Sequence, residues 1–441
     1  MAIHRDLQPA TLMRAEIAQR RDEGYDLGNL PDRIEAAIAA GNIDSQAETF
    51  WAAIDGLPPL PAGREERLDL EAIRTARPDG RYKPRFNLSE TALYDRVYGA
   101  WLGRCAGCTL GKPVEGWLRG KIETYLRTAD AYPLASYFPV LDPFPEGLAL
   151  WKNYTATALG RVRGMTRDDD IDYTVMGLHI LETCGRDFST RDVAEAWINN
   201  LFFGKVYTAE AVAFRNLTHG IDPPHTALHR NPYREWIGAQ IRADMWGYVN
   251  PGQPEKAAAF AYRDASLSHT GNGIYGAMWA AACIAAAFAT DDPDQIVGAG
   301  LAEIPEDCRL ARAVRDTQAW ARECPTWEDA WERVNARYGA YHSAHVINNT
   351  CLIVLGLLYG AGDLEKSICL AVMGGWDTDC TGATTGSILG TMLGANALPD
   401  KWIAPLNDRL ESIVPTFQES SISDLARRTA ALAKTRGNAH R

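Results

Sequence analysis

Alternating runs of β-branched residues are hard to find in this chain, and their scarcity argues against any sheet-built fold. Paired cysteines at metal-finger or disulfide-framework spacing are also missing. The nine cysteines are odd in number and scattered in apolar segments, which reads as reduced, buried thiols of a cytoplasmic protein. Cys105 and Cys108 form a lone C-x-x-C among small helix formers, so packing is the expected role. No P-loop and no Ser/His/Asp grouping appears. His225 and His229 stand four apart without a third ligand nearby, and a plain loop is expected there. The start of the chain carries no secretory pattern. One uncharged stretch, Thr270 to Thr290, is long enough to suggest a membrane span, but it is rich in Ala and Gly rather than Leu and reads as a helix buried in a protein core. Excess positive charge is absent too: the net charge of −11 disfavours nucleic acid or an anionic membrane as partner.

What is present is helical. With 441 residues and 46% hydrophobic content, the chain can bury a large core. Ala, Leu, Glu, Arg and Trp recur at three- and four-residue spacing, so the fold is expected to be all-α. Short amphipathic helices are predicted at Pro9 to Glu23, Pro31 to Ala40 and Gln46 to Ile54. The proline-rich segment Gly56 to Gly63 reads as a stiff connector, and a polar stretch runs on to Asn87. Longer helices are predicted over 166–185, 190–203, 207–217, 272–290, 293–303, 307–323, 326–336, 345–360, 363–373 and 380–394. The change of character near Ser89 suggests an N-terminal helical extension, 1–88, ahead of a main domain, 89–441. Gly382, Gly386, Gly390 and Gly394 fall four apart, a smooth helical stripe that lets another backbone come close.

Two short acidic stretches carry the chemistry: Asp168-Asp169-Asp170-Ile171-Asp172, and Gly374-Gly375-Trp376-Asp377-Thr378-Asp379 some two hundred residues later. Each leads into an apolar helix, where an acidic first turn suits the macrodipole. If the two meet in space, their like charges repel strongly unless a divalent ion neutralises them. The donor set is all oxygen, which suits a hard ion such as Mg²⁺ or Mn²⁺ and lines a cleft with metal ligands. A third element, Gly103 to Gly116, reads as a small-residue helix ending in a Gly-Lys-Pro turn that presents Glu115. Gly271-Asn272-Gly273 is explained by a turn before the Ala-rich helix.

Taken together these segments resemble the ADP-ribosylglycohydrolase family, the dinitrogenase-reductase-activating type. Asp95-Arg96-Val97-Tyr98-Gly99-Ala100-Trp101-Leu102-Gly103, continuing to Gly111-Lys112-Pro113-Val114-Glu115, is similar to the family's opening segment. Asp168-Asp169-Asp170-Ile171 matches its T-D-D-T pair, and Gly375-Trp376-Asp377-Thr378-Asp379-Cys380 its closing G-G-D-T-D-T. The resemblance spans roughly 90 to 410. It implies an orthogonal multi-helix bundle with a metal-lined cleft, and two Mg²⁺ or Mn²⁺ ions held by Asp169, Asp170, Asp377 and Asp379, with Asp168 in place of a metal-binding threonine. Cys380 replaces the last threonine ligand with a thiol that suits a softer ion, and Thr381, one residue on, is an alternative oxygen donor. The catalytic roles fall to Glu115 and Asp170. Ile237 to Asp244 sits where the family has a ligand loop, which implies substrate contacts from Gly238, Gln240 and Arg242. Ser268-His269-Thr270 likewise implies His269 at the cleft, and Trp376, which replaces a glycine, is placed to stack on a base or ribose.

The expected activity is metal-dependent hydrolysis of an N- or O-ribosyl bond. The substrate is an ADP-ribosylated protein or a ribosylated small molecule, and no nucleic acid or membrane partner is expected. The extension could narrow the cleft and so favour a small molecule. Three alternatives remain open at this point: a ribonucleoside N-glycosidase of the same fold, a non-catalytic ADP-ribose binder, or a helical scaffold whose acidic turns are merely helix caps. The oligomeric state is not legible.

Overall fold

The positions of Gly and Pro, together with side chains able to cap helix ends, cut the chain into a long series of helices. The computed structural model describes residues 4–60, 66–78 and 87–434; the end of the predicted connector, 61–63, and the very start of the chain lie outside them. The N-terminal helices are α1 (Pro9–Glu23), α2 (Leu30–Ala39), α3 (Ile43–Asp55) and the short α4 (Leu70–Thr75). The main body follows with α5 (Glu90–Gly111), α6 (Arg119–Thr128), α7 (Asp169–Cys184), α8 (Thr190–Asn200) and α9 (Thr208–Thr218). Three one-turn helices come next: α10 (His225–Leu228), α11 (Gly238–Ile241) and α12 (Asp244–Tyr248). The remainder is α13 (Pro254–Ala265), α14 (Gly271–Ala287), α15 (Pro293–Leu301), α16 (Arg309–Glu323), α17 (Trp327–Tyr338), α18 (Val346–Gly360), α19 (Leu364–Met373), α20 (Thr378–Leu393), α21 (Asp400–Ile403) and α22 (Ile422–Lys434). The fold is all-α, as the composition predicts. Among the described residues the strands are two of three residues each, β1 (Arg409–Glu411) and β2 (Glu419–Ser421), paired antiparallel with Leu410 opposite Ser420.

The predicted long helices are present with ends shifted by a few residues, and the misses have physical causes. The helix predicted over 190–203 stops at Asn200, because Leu201 turns extended and Phe203–Lys205 tightens into a separate 3₁₀ turn. The helix predicted from 380 begins earlier, at Thr378, so Asp377 is its N-cap and Asp379 lies inside its first turn. The longer helices α6, α13 and α22 and the short α4, α10, α11, α12 and α21 fall outside the predicted segments.

At the centre, α5 and α20 pack backbone to backbone. A Cβ on Gly99, Gly103 or Gly107 would come within 2.4, 2.1 and 1.9 Å of the carbonyl oxygens of Gly390, Gly386 and Gly382 respectively. The glycine stripe on α20 therefore meets a matching stripe on α5, and no bulkier residue fits either side. The Ala- and Gly-rich α14 is buried along its whole length, and no helix among the described residues is long and apolar enough to cross a membrane.

The N-terminal helices form a second apolar cluster. Met13, Ile34, Phe50 and Ile54 pack with Ala209 and Val212 of α9 and with Tyr233. Charged groups complete the join. Buried Glu16 pairs with Arg234 at 2.8 Å, Glu23 with the same guanidinium at 2.7 Å, and Arg309 bridges Glu66 and Glu235 at 3.2 and 2.6 Å. Burying these carboxylates would be costly without the arginines.

Candidate active site

Three chain segments bring carboxylates to one place. The first is the turn after α5. Backbone bonds in both directions, Gly116 N–H to Trp376 O and Trp376 N–H to Trp117 O, each 2.8 Å, staple this turn to the one preceding α20. The second turn needs unusual dihedrals: Gly375 has φ +85°, and a Cβ there would lie 2.7 Å from Arg119 N. Trp376 itself is held at φ +64°, a sparsely populated conformation for a bulky side chain of the kind that collects at functional sites. The staple sets Glu115 beside Asp377 and Asp379; one ligand-type atom from each of the three lies within 4.8 Å of the others.

The third segment is the N-terminus of α7. Asp168 caps it, accepting the Asp170 N–H at 3.0 Å. Asp170 points inward, where Arg104 of α5 reaches its carboxylate at 3.2 Å and its carbonyl oxygen at 2.6 Å. The same guanidinium pairs with Asp244 at 2.9 Å. Atoms of Asp170, Asp379 and Cys380 also fall within 4.8 Å of one another, so Asp379 belongs to two neighbouring groups.

These carboxylates open onto a cavity of about 420 Å³, in the range for small-molecule sites. Its acidic side is Glu115, Asp169, Asp170, Asp377 and Asp379, with Cys380 and Trp376. The facing side is Tyr207, Thr208, Trp236, Ile237, Gly238 and residues 342–344, and Asp6 of the N-terminal segment reaches in as well. Trp236 and His342 lie stacked at 4.0 Å with a 12° tilt, an aromatic face able to receive a flat ring.

The electrostatics of the ion-free site run one way. Burial first, then Asp168, pushes the Asp379 carboxyl up to about 6, and the same two causes push Asp169 up to about 8. Asp170 and Asp377 are raised well above the carboxylate range, chiefly by burial, and Glu115 chiefly by the charge of Asp379. Burial lifts the Cys380 thiol too. Asp379 Oδ1 is buried and has no hydrogen-bond partner. A costly orphaned acceptor among mutually repelling acids is what a divalent cation relieves, so the residues present fit a hard ion.

The residues picked out from sequence divide cleanly. Glu115, Asp169, Asp170, Asp377, Asp379, Gly238 and Trp376 line the cavity. Asp168 does not: with one oxygen capping α7, its other oxygen lies 3.1 Å from Lys112 Nζ. Thr381 is fully buried and turns back to Thr378 O at 3.3 Å. The structure does not bring Gln240, Arg242 or His269 to the cavity. Gln240 is buried against Thr350, and Arg242 is locked between Asp264 and Glu210 at 2.6 and 2.5 Å. His269 bonds Ser268 at 2.8 Å and borders a separate cavity of about 210 Å³ with Leu68 and Tyr262. Sequence reading passed over Asp6, Tyr207, Thr208, Trp236 and His342. Asp6 and His342 stand alone in the sequence, and the adjacent Tyr207 and Thr208 have no spacing to mark them; only the aromatics around Trp236 offer a faint signal.

The sequence model of the ADP-ribosylglycohydrolase family matches residues 89–439. No curated protein matches the chain. Among solved structures, one titled "ADP-ribosylglycohydrolase-related protein complex" superposes with a TM-score of 0.52 at 18% identity, covering 78% of this chain and 99% of its own; at that identity the likeness speaks for the fold. With the family match spanning most of the sequence and the acidic segments converging as its motifs require, the chain belongs to the ADP-ribosylglycohydrolase family, a family of enzymes that hydrolyse glycosidic bonds of the ADP-ribosyl type.

Proposed function

We propose that this enzyme cleaves the N- or O-glycosidic bond at the ribose of a small ADP-ribosyl-type or nucleoside-like substrate, and that it does so with divalent ions. The observation that carries the reading is the set of five carboxylates from three segments around one cavity, with Asp379 Oδ1 left without a partner. Asp169, Asp170, Asp377 and Asp379 would hold two ions, Mg²⁺ or Mn²⁺. When bound, such ions grip and orient ribose hydroxyls and stabilise developing charge.

The chain's own residues supply the rest. Breaking a ribosyl bond builds positive charge on the sugar, and a ring of carboxylates opposes that charge with negative potential. Glu115, partly exposed and beside Asp377 and Asp379, would take a proton from an attacking water, and Asp170 shares the neighbouring acidic group with Asp379. Trp376 walls the reacting sugar, and the Trp236–His342 face receives a flat ring at the other end. The preference for a small molecule rests on the crowded far wall, where the N-terminal segment places Asp6. Residues 1–88 are on this reading an extension built onto the main domain at 89–441, and the free state of all nine cysteines suits a reducing, cytoplasmic location.

The test is product release from ADP-ribosyl-arginine, ADP-ribosyl-serine and simple ribonucleosides, followed by chromatography with and without Mg²⁺ or Mn²⁺. Turnover that requires the ion and disappears in Asp379→Asn is expected. Ion-loaded protein inactive on every member of the panel would overturn the reading.

A further inference from the structure

We propose that Cys380 is a metal-ligating thiolate, and that it makes one of the two ion positions selective for a borderline, thiophilic divalent ion of the Zn²⁺, Co²⁺ or Fe²⁺ kind while the other remains hard. The proposal rests on the metal-dependent reading above and specifies its chemistry.

Three groups of ligand-type atoms lie close together: Glu115 with Asp377 and Asp379; Asp170 with Asp379 and Cys380; and Cys108 with Asp168 and Asp170. The third group already contains a cation belonging to the protein. Lys112 Nζ sits 3.1 Å from Asp168 Oδ2, 3.1 Å from Thr166 Oγ1 and 2.7 Å from Arg167 O. An ammonium in that cradle answers the Asp168 charge and repels a further cation. Two positions are left, and they share Asp379.

Those two differ in donor chemistry. One offers only oxygen, from Asp377 and Asp379 with the Glu115 base beside them, which suits Mg²⁺ or Mn²⁺. The other offers two carboxylates and a sulfur. Cys380 Sγ lies 3.3 Å from Asp170 Oδ2 and faces the cavity. The second, independent pointer to a ligand is Asp379, only 5% exposed, whose Oδ1 has no partner and which borders the same space. A sulfur donor raises affinity for softer ions and adds nothing for Mg²⁺, which bonds oxygen and sheds water reluctantly. On ion binding the S–H bond breaks, the proton passes to solvent and a sulfur–metal bond forms, with no change of oxidation state. The two positions, which have Asp379 in common, would then hold unlike ions.

The experiment uses the full chain, stripped with a chelator and titrated with Co²⁺ under anaerobic conditions. A thiolate-to-cobalt charge-transfer band in the near-ultraviolet is expected to saturate at one equivalent. It should vanish in Cys380→Ser, survive in Cys108→Ser, be displaced by Zn²⁺ and withstand Mg²⁺. Bound Co²⁺ without the band, or a band that persists in Cys380→Ser, overturns the proposal and leaves metal-dependent hydrolysis standing. Failure to bind any Co²⁺, Mn²⁺ or Mg²⁺ overturns both. If Cys380→Ser does not fold, the wild-type competition decides: a band that Mg²⁺ displaces as readily as Zn²⁺ counts against the thiolate.

Discussion

Replacing Gly103 by alanine adds one carbon, and the structure says where it must go. The new Cβ would lie 2.1 Å from Gly386 O, 2.9 Å from Gly386 C and 3.2 Å from Gly390 Cα. All three neighbours are backbone, so no side chain can swing aside, and α5 and α20 must part by roughly an ångström, which forfeits a quarter to a half of each affected dispersion contact. Overpacking usually costs about 1–3 kcal/mol, and an unyielding neighbour puts this case at the upper end or beyond. Alanine's better helix propensity returns about 1 kcal/mol, leaving a net loss of roughly 2 kcal/mol or more. Unfolding entropy of about 2.1 cal/mol/K per residue implies a shift near 1 °C per kcal/mol for a chain this long. Gly298 is the control: it lies inside α15, and a Cβ there meets nothing within 4 Å, so Gly298→Ala should be stabilising by up to about 1 kcal/mol. Scanning calorimetry of the two variants should place them on opposite sides of wild type, about 3 °C apart. A Gly103→Ala protein as stable as Gly298→Ala would refute the close-packed ladder.

Three further outcomes follow from the same geometry. In chelator, Asp379 and Asp169, raised to about 6 and about 8, bind protons more tightly folded than unfolded. Their contribution to stability is therefore full below pH ~4 and is lost as pH rises towards ~8; saturating Mn²⁺ should raise the unfolding temperature most at the alkaline end, and thermal scans showing no such pH-dependent gain would contradict it. Burial likewise raises Asp22 in α1 to about 6, so Asp22→Asn should be more stable than wild type at pH 7 and no more stable at pH 4, as read by thermal unfolding at the two pH values. Arg242→Ala strands Glu210 and Asp264, and breaking a buried pair costs about 3–5 kcal/mol; a drop in unfolding temperature of roughly 3–5 °C is expected, whereas a change in KM with no such drop would place Arg242 at the substrate.

Much of this was legible because the chemistry is local. Asp168 to Asp170 and Asp377 to Asp379 are contiguous, and their like charges beside apolar helices mark acidic clusters able to hold a cation. The stripe Gly382, Gly386, Gly390 gave a close approach; its partner, Gly99, Gly103, Gly107, stood in plain view but had to be matched through space. Side-chain direction was not legible. Asp168 and Asp169 are neighbours, yet one caps a helix and meets Lys112 while the other opens on the cavity, and that is decided by where α7 starts. The resemblance implies a substrate contact for Arg242, and its pairing with Glu210 and Asp264, both distant in sequence, is visible only in space. Asp6 and His342 reach the site through the packing of whole helices, which no short pattern encodes.

Where the glycines of α5 and α20 interlock, neither helix can slide or tilt without the other. Glu115 and Asp379 sit at the same end of that joined rod, so the acidic side of the cavity behaves as one stiff body, its geometry set when the chain folds. Any breathing that admits substrate and releases product falls to the opposite wall, where Asp6, Thr208 and His342 come from three separate stretches of chain.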